Sequence, residues 1–218
     1  RALPVDEKPP ASPGDIYLRL PQHPPARLQD GPVESCMAMG YNKEVKNGNE
    51  RFDERRRPME KYVRDSYTEH VQILSQSSLN GYKRLFGGRL MEWIDVVAGV
   101  VARRHSNRNV TTAAVDNLRF EGPAYGNETI VLCGYITYTG RTSMEVCVRT
   151  YVEELNGHKR LINVAYLVMV ALDENERPVE VPRLVLATEE ERREWEAAVE
   201  RTRLRKERRR LEKEAGIY

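Results

Sequence analysis

The chain has 218 residues and 25.2 kDa, which fits one domain with appendages or two small domains. Thirty-five basic against thirty-three acidic residues leave a net charge of +2, so bulk charge gives no nucleic-acid reading. Three cysteines (Cys36, Cys133 and Cys147) lack metal-ligand spacing and exclude a disulfide-stapled secreted scaffold, which points to reduced thiols and a cytoplasmic setting.

Residues 1–58 hold nine of the twelve prolines and a run of arginines at 55–57. No stretch there sustains period 2 or period 3.6, so little apolar surface offsets the entropy of ordering. The segment reads as a disordered extension, upstream of a start at Met59. A protein shortened to begin at Met59 is therefore expected to keep its melting temperature and its turnover. Loss of either would make the extension structural.

From Met59 the pattern sharpens. Tyr67 to Leu74 reads as a strand, and the polar run SQSSLNGYKR as a loop. FGGRLMEWIDVVAGVVARR then predicts one helix of about five turns. Apolar residues occupy almost all its sides, which predicts burial all round. Glu92 and Asp95 interrupt its most apolar part, and the run falls short of a membrane span. Four long strand patterns follow, at 110–120, 128–138, 143–154 and 161–172. The third alternates, with Met144, Val146, Val148 and Val152 on one face and Glu145, Arg149 and Glu153 on the other. Asn156-Gly157 is a hairpin signal, and connections this short make neighbours antiparallel. The domain, 59–186, is thus α+β: a long central helix wrapped by an antiparallel sheet. Residues 187–218 form a charged helix opened by a Thr188/Glu191 capping box and expected to be solvated.

Asp95 is the most informative residue. A carboxylate on an otherwise apolar helix must be satisfied by a core hydrogen bond, face a solvent channel, or be used chemically. Phe86-Gly87-Gly88 opens the same helix, where bare backbone N–H groups and the helix dipole suit an oxyanion; close packing of the helix end is the plainer explanation. Asp95 lies seven residues beyond Gly88, about 10 Å along the axis. One chain need not bring both to one atom, and a symmetric partner can supply one of them. Asn80 lies in the loop before the helix, where asparagine is ordinarily turn chemistry. The four histidines (His23, His70, His105 and His158) show no zinc or nucleophile–base spacing. A cation at His105 would suit the helix C-terminus, and Cys133 and Cys147 read as core thiols.

Asn80, Phe86-Gly87-Gly88, Leu90-Met91 and Asp95, followed by VDNLRFEGPAYGN, TYTGRTSMEVCVRTYVEE and YLVMVALDENERPVEVP, resemble hotdog-fold acyl-CoA thioesterases of the cytosolic acyl-CoA hydrolase type. The resemblance covers residues 62–186. It implies a hotdog fold that dimerises sheet edge to sheet edge, with active sites at the interface, alone or as a trimer of dimers. It implies hydrolysis of acyl-CoA to a free acid and coenzyme A, with no cofactor beyond the substrate; the charge balance and the short apolar run give no membrane partner, and make nucleic-acid contact by the basic 201–210 patch the minor reading. By position, Asp95 matches the catalytic aspartate and Asn80 the asparagine that positions substrate or water. Phe86, Gly87 and Gly88 match the helix start that polarises the carbonyl. Gly140, Arg141, Thr142 and Ser143 fall where the family contacts coenzyme A, with Lys83 and Arg84 as further phosphate partners. Two departures stand out: Lys83 replaces a common glycine, and Gly126-Asn127 a Gly-Asp. A covalent acyl–aspartate route is a second mechanism. A hotdog hydratase would place a histidine near the helix, and none is there. A non-catalytic acyl-CoA sensor is the competing class, but it needs neither Asp95 nor Asn80.

Overall fold

A computed structural model describes residues 60–217; the 1–58 extension, with Cys36 and His23, lies outside the described residues. In chain order the elements are β1 (Glu60–Tyr62), β2 (Thr68–Ile73), α1 (Gly87–Ser106), β3 (Asn109–Phe120), β4 (Thr129–Thr139), β5 (Ser143–Glu153), β6 (Lys159–Leu172), β7 (Arg183–Val185) and α2 (Glu189–Glu214). Five strands form one antiparallel sheet in the order β2-β4-β5-β6-β3, while β1 and β7 pair in parallel beside it. The expected strands and central helix recur within a residue or two of their predicted ends, and the C-terminal helix ends at Glu214, short of 218. β1 and β7 were not expected, because three residues carry no periodicity to read.

The sheet curls around α1. Leu90, Ile94, Val97, Ala98, Val101 and Ala102 line the buried side of the helix. They pack with Ile130, Leu132 and Ile136 of β4, Met144, Val146 and Val148 of β5, and Leu167 and Met169 of β6. Gly134 sets the distance of approach. A Cβ there would lie 2.6 Å from Val97 Cγ1 and 2.9 Å from Val101 Cγ2. Gly134→Ala is therefore expected to destabilise by about 1–3 kcal/mol through overpacking, read from denaturant midpoints. An unchanged midpoint would show that α1 can retreat freely.

Burial all round α1 is not what the structure shows. Asp95 is exposed, and so are Met91 and Val96 beside it and Phe86 at the helix start. The reason is the sheet order: β3 is an edge strand, so among the described residues no further strand covers this flank of the helix. Val115 and Phe120 on β3 continue the same apolar margin.

The charged helix α2 is not a solvated appendage. The capping box forms as expected, with Thr188 Oγ1 accepting from Glu191 N at 3.1 Å. The helix then lies on the outer face of the sheet and is held by specific ion pairs. Glu145, on the face of β5 opposite Met144 and Val146, is 1% exposed. It accepts from Arg201 Nη2 at 2.7 Å, from Arg201 Nε at 3.1 Å and from Thr137 Oγ1 at 2.8 Å. Arg205 bonds Asp116 of β3 at 2.7 Å, and Glu194 receives Arg149 Nη2 at 2.6 Å. Arg201 also stacks 3.8 Å from the Tyr166 ring centroid, and Trp195 meets Tyr138 at 4.7 Å. Cys147 is buried on this outer face, whereas Cys133 is half-buried near Glu69, so neither thiol belongs to the core beneath the sheet.

His105 also departs from expectation. It is fully buried, its ring Nε2 donates to Pro182 O at 3.0 Å, and its Nδ1 has no partner among the described residues. Burial lowers its pKa below the usual 6.5, so the folded protein holds it neutral rather than as a helix-end cation. Below pH 6.5 the unfolded chain binds a proton that the folded chain resists. Stability should be full above that pH and decline as pH falls through and below it. His105→Gln, followed by melting temperature across this range, should flatten the acid limb; an unchanged slope would assign the loss elsewhere.

Candidate active site

The loop from Ser75 to Phe86 places the first candidates. Asn80 Oδ1 accepts from Tyr82 N at 2.9 Å and Arg84 N at 3.2 Å, while Asn80 N donates to Arg84 O at 2.8 Å. The residue thus does the turn chemistry expected of a loop asparagine. Among the described residues no acceptor engages its Nδ2, which leaves that donor available. Lys83 sits at φ 57, in the left-handed region, which explains why glycine suits this position and shows that the turn forms without it. Lys83 and Arg84 are both exposed. Asn127 at φ 71 adopts the same backbone class, which asparagine tolerates better than most residues.

Two bonds fix the loop to the start of α1. Phe86 N donates to Ser78 O at 2.9 Å and Leu85 N to Ala124 O at 2.8 Å. Phe86 is the N-cap residue and offers no side-chain cap. The first-turn amides of Gly87 and Gly88 therefore have no intrahelical acceptor and carry the positive end of the dipole. A Cβ on Gly88 would come within 2.7 Å of the exposed Phe86 ring, so a larger residue there would displace that ring.

Asp95 lies on the exposed flank of α1, two turns along. Thr112 Oγ1 of β3 donates to its Oδ1 at 2.6 Å. That bond engages one carboxylate oxygen, and among the described residues no hydrogen bond is made to the other. Thr112 was not among the residues singled out from the sequence. A threonine in a strand pattern is unremarkable there, and only the sheet edge crossing beside α1 brings it to an aspartate seventeen residues earlier.

Gly140, Arg141 and Thr142 form the β4–β5 turn and Ser143 begins β5. Gly140 N donates to Ser143 O at 2.8 Å, and a Cβ on Gly140 would meet Ser143 Oγ at 3.0 Å. Arg141 is exposed and 3.9 Å from Glu180. Within one protomer the candidates thus form three groups: the Asn80 loop with the helix start, the Asp95–Thr112 pair, and this turn. Among the described residues no cluster of three or more histidine, cysteine or acidic side chains could hold a metal, and no helix is long and apolar enough to cross a membrane.

Residues 82–156 match the family model described as the thioesterase superfamily. The chain is 37% identical over 154 residues to a Bacillus subtilis protein described as an uncharacterized acyl-CoA thioester hydrolase, covering 70% of this chain and 90% of that protein. It is 34% identical over 130 residues to the cytosolic acyl coenzyme A thioester hydrolase of Rattus norvegicus. That match covers 58% of this chain but only 34% of the longer rat protein. Among solved structures, an apo-hexameric acyl-CoA thioesterase superposes with a TM-score of 0.66 at 37% identity, covering 68% of this chain and 96% of that one. An acyl-CoA hydrolase from Staphylococcus aureus, solved with butyryl coenzyme A and coenzyme A, gives 0.69 at 29% identity over 73% and 98%. With a five-stranded antiparallel sheet curled around one long helix, and the B. subtilis relative matched over 90% of its length at 37% identity, this chain belongs to the thioesterase superfamily and has the hotdog fold.

Proposed function

We propose that the protein hydrolyses acyl-CoA thioesters to a free carboxylic acid and coenzyme A, in an active site shared between two copies of the chain. The observation that carries this reading is the Asp95–Thr112 pair, set on the open apolar flank of α1 at the sheet edge. Such a flank is completed by a second β3 edge, which places a partner's helix start opposite Asp95. In this arrangement Asp95 takes a proton from water, and the hydroxide attacks the thioester carbonyl carbon. The carbonyl oxygen, now negative, accepts hydrogen bonds from the Gly87 and Gly88 amides. Collapse breaks the C–S bond, and the departing thiolate takes the proton held by Asp95. The free Nδ2 of Asn80 orients water or substrate from the helix-start side, and the Gly140–Ser143 turn with Arg141, Lys83 and Arg84 receives coenzyme A.

The S. aureus relative has been solved with an asparagine, an aspartate and a threonine each replaced by alanine. Those three positions are separated by fifteen and seventeen residues, the same intervals as Asn80, Asp95 and Thr112. This supports the roles given to all three. The hexameric relative at 37% identity supports an assembly of such dimers.

The test is thiol release from acyl-CoAs of short to long chain by the purified full chain, with sedimentation on the same preparation. Release of coenzyme A by a dimer or larger assembly is expected. No release from any chain length would overturn the activity, and a fully active monomer would overturn the shared site.

A further inference from the structure

A cavity of about 690 Å³ opens between the β4–β5 turn, β7 and α2. Its walls combine two kinds of chemistry. Trp195 of α2 and Tyr138 of β4, both half-buried, meet at 4.7 Å with their planes 42° apart, forming an aromatic corner. Arg141 and Arg183 stand exposed at the rim with Glu180 as the one acid. Glu180 holds Arg141 only loosely, at 3.9 Å with both side chains more than 75% exposed, a contact that an incoming anion displaces at little cost. Arg183 makes no ion pair among the described residues. Gly140 keeps the wall between them low.

We propose that this cavity seats the adenosine 3′,5′-diphosphate end of the acyl-CoA substrate, with Trp195 providing the face on which adenine rests and Arg183 joining Arg141 on the phosphates. The proposal rests on the thioesterase reading above, and it gives α2 a part in substrate recognition. Flat heteroaromatic rings stack on tryptophan whatever their substituents, and guanidinium groups pair with phosphate oxygens in fixed geometry. The seat is preorganised, because α2 is pinned beyond Trp195 by the Arg201–Glu145 pair, so little ordering is left to be done on binding. Trp195 would accordingly act as a specificity residue on KM, since the cavity it lines includes none of the groups assigned to the reacting carbonyl.

Trp195→Ala and Arg183→Gln should be compared with wild type on two substrates carrying one acyl group: the CoA thioester, and the N-acetylcysteamine thioester, which lacks the nucleotide. Each variant should raise KM for acyl-CoA about tenfold for Trp195→Ala and severalfold for Arg183→Gln, with kcat unchanged. Both should leave the short thioester unaffected. Free adenosine 3′,5′-diphosphate should inhibit wild type competitively with acyl-CoA and bind Trp195→Ala more weakly. Trp195→Phe keeps a ring and should retain most of the affinity, which separates stacking from loss of α2 docking. Equal losses on both substrates, an unchanged KM for acyl-CoA, or nucleotide binding that does not compete would each overturn the proposal. If wild type cleaves neither thioester, the activity reading fails instead, and nucleotide binding sensitive to Trp195 still decides whether this cavity is the seat.

Discussion

Replacing Asp95 by asparagine should reduce turnover of acyl-CoA by a factor of about 10²–10⁴ or more while leaving the fold and substrate affinity largely intact. Asparagine is nearly isosteric with aspartate, and its amide oxygen still accepts the bond from Thr112 Oγ1. It cannot take a proton from water. The exposed position of Asp95 strengthens the expectation, because no buried network depends on its charge. Melting temperature, affinity for a non-hydrolysed CoA analogue and turnover should be measured on one preparation. Near-wild-type turnover per folded molecule would remove Asp95 from the mechanism, and with it most of the argument for this site.

The second large effect is on stability. Arg201→Leu strips Glu145 of its bidentate partner and leaves a carboxylate that is 1% exposed with only Thr137 and a contact to Arg205 Nη1 at 3.6 Å. Breaking one side of a buried ion pair costs about 3 kcal/mol, since the remaining charge is dehydrated without compensation. Urea unfolding should show that loss. The double change Glu145→Leu with Arg201→Leu should recover much of it, because both charges then leave the interface together. If the single and double variants are equally unstable, the packing of the arginine over Tyr166 is what matters rather than the pairing.

These two residues mark what could and could not be read from the chain. Asp95 was legible because a charge among apolar helix positions violates the local pattern, and the four long strands were legible because their alternation or apolar runs persist over eleven or more residues. Alternation put Glu145 on the face opposite Val146, and alternation says nothing about a second layer over that face. That layer, α2, shows no apolar stripe. Its docking is written in Arg201, Arg205 and Glu194, charges indistinguishable in sequence from those of a solvated helix. Thr112 was hidden for a different reason. Its significance lies in one contact across the fold, and no spacing along the chain encodes that contact. The open flank of α1 was misread as buried because apolar helix positions look the same in sequence whether or not the sheet extends far enough to cover them.

The edge strand β3 has a further consequence. Its pairing with β6 slips twice, between Thr112 and Ala114 and again between Val115 and Asn117. The slips let one strand turn Thr112 toward α1 and Asp116 outward to Arg205, although an unbroken strand would point both to the same side. They also break the regular row of amides and carbonyls along a twelve-residue margin that carries exposed Val115 and Phe120. A long, flat, apolar margin recruits any passing strand and grows into fibres. An interrupted one offers fewer consecutive backbone groups to an incoming strand. The irregularities of β3 thus guard this edge against indiscriminate strand addition.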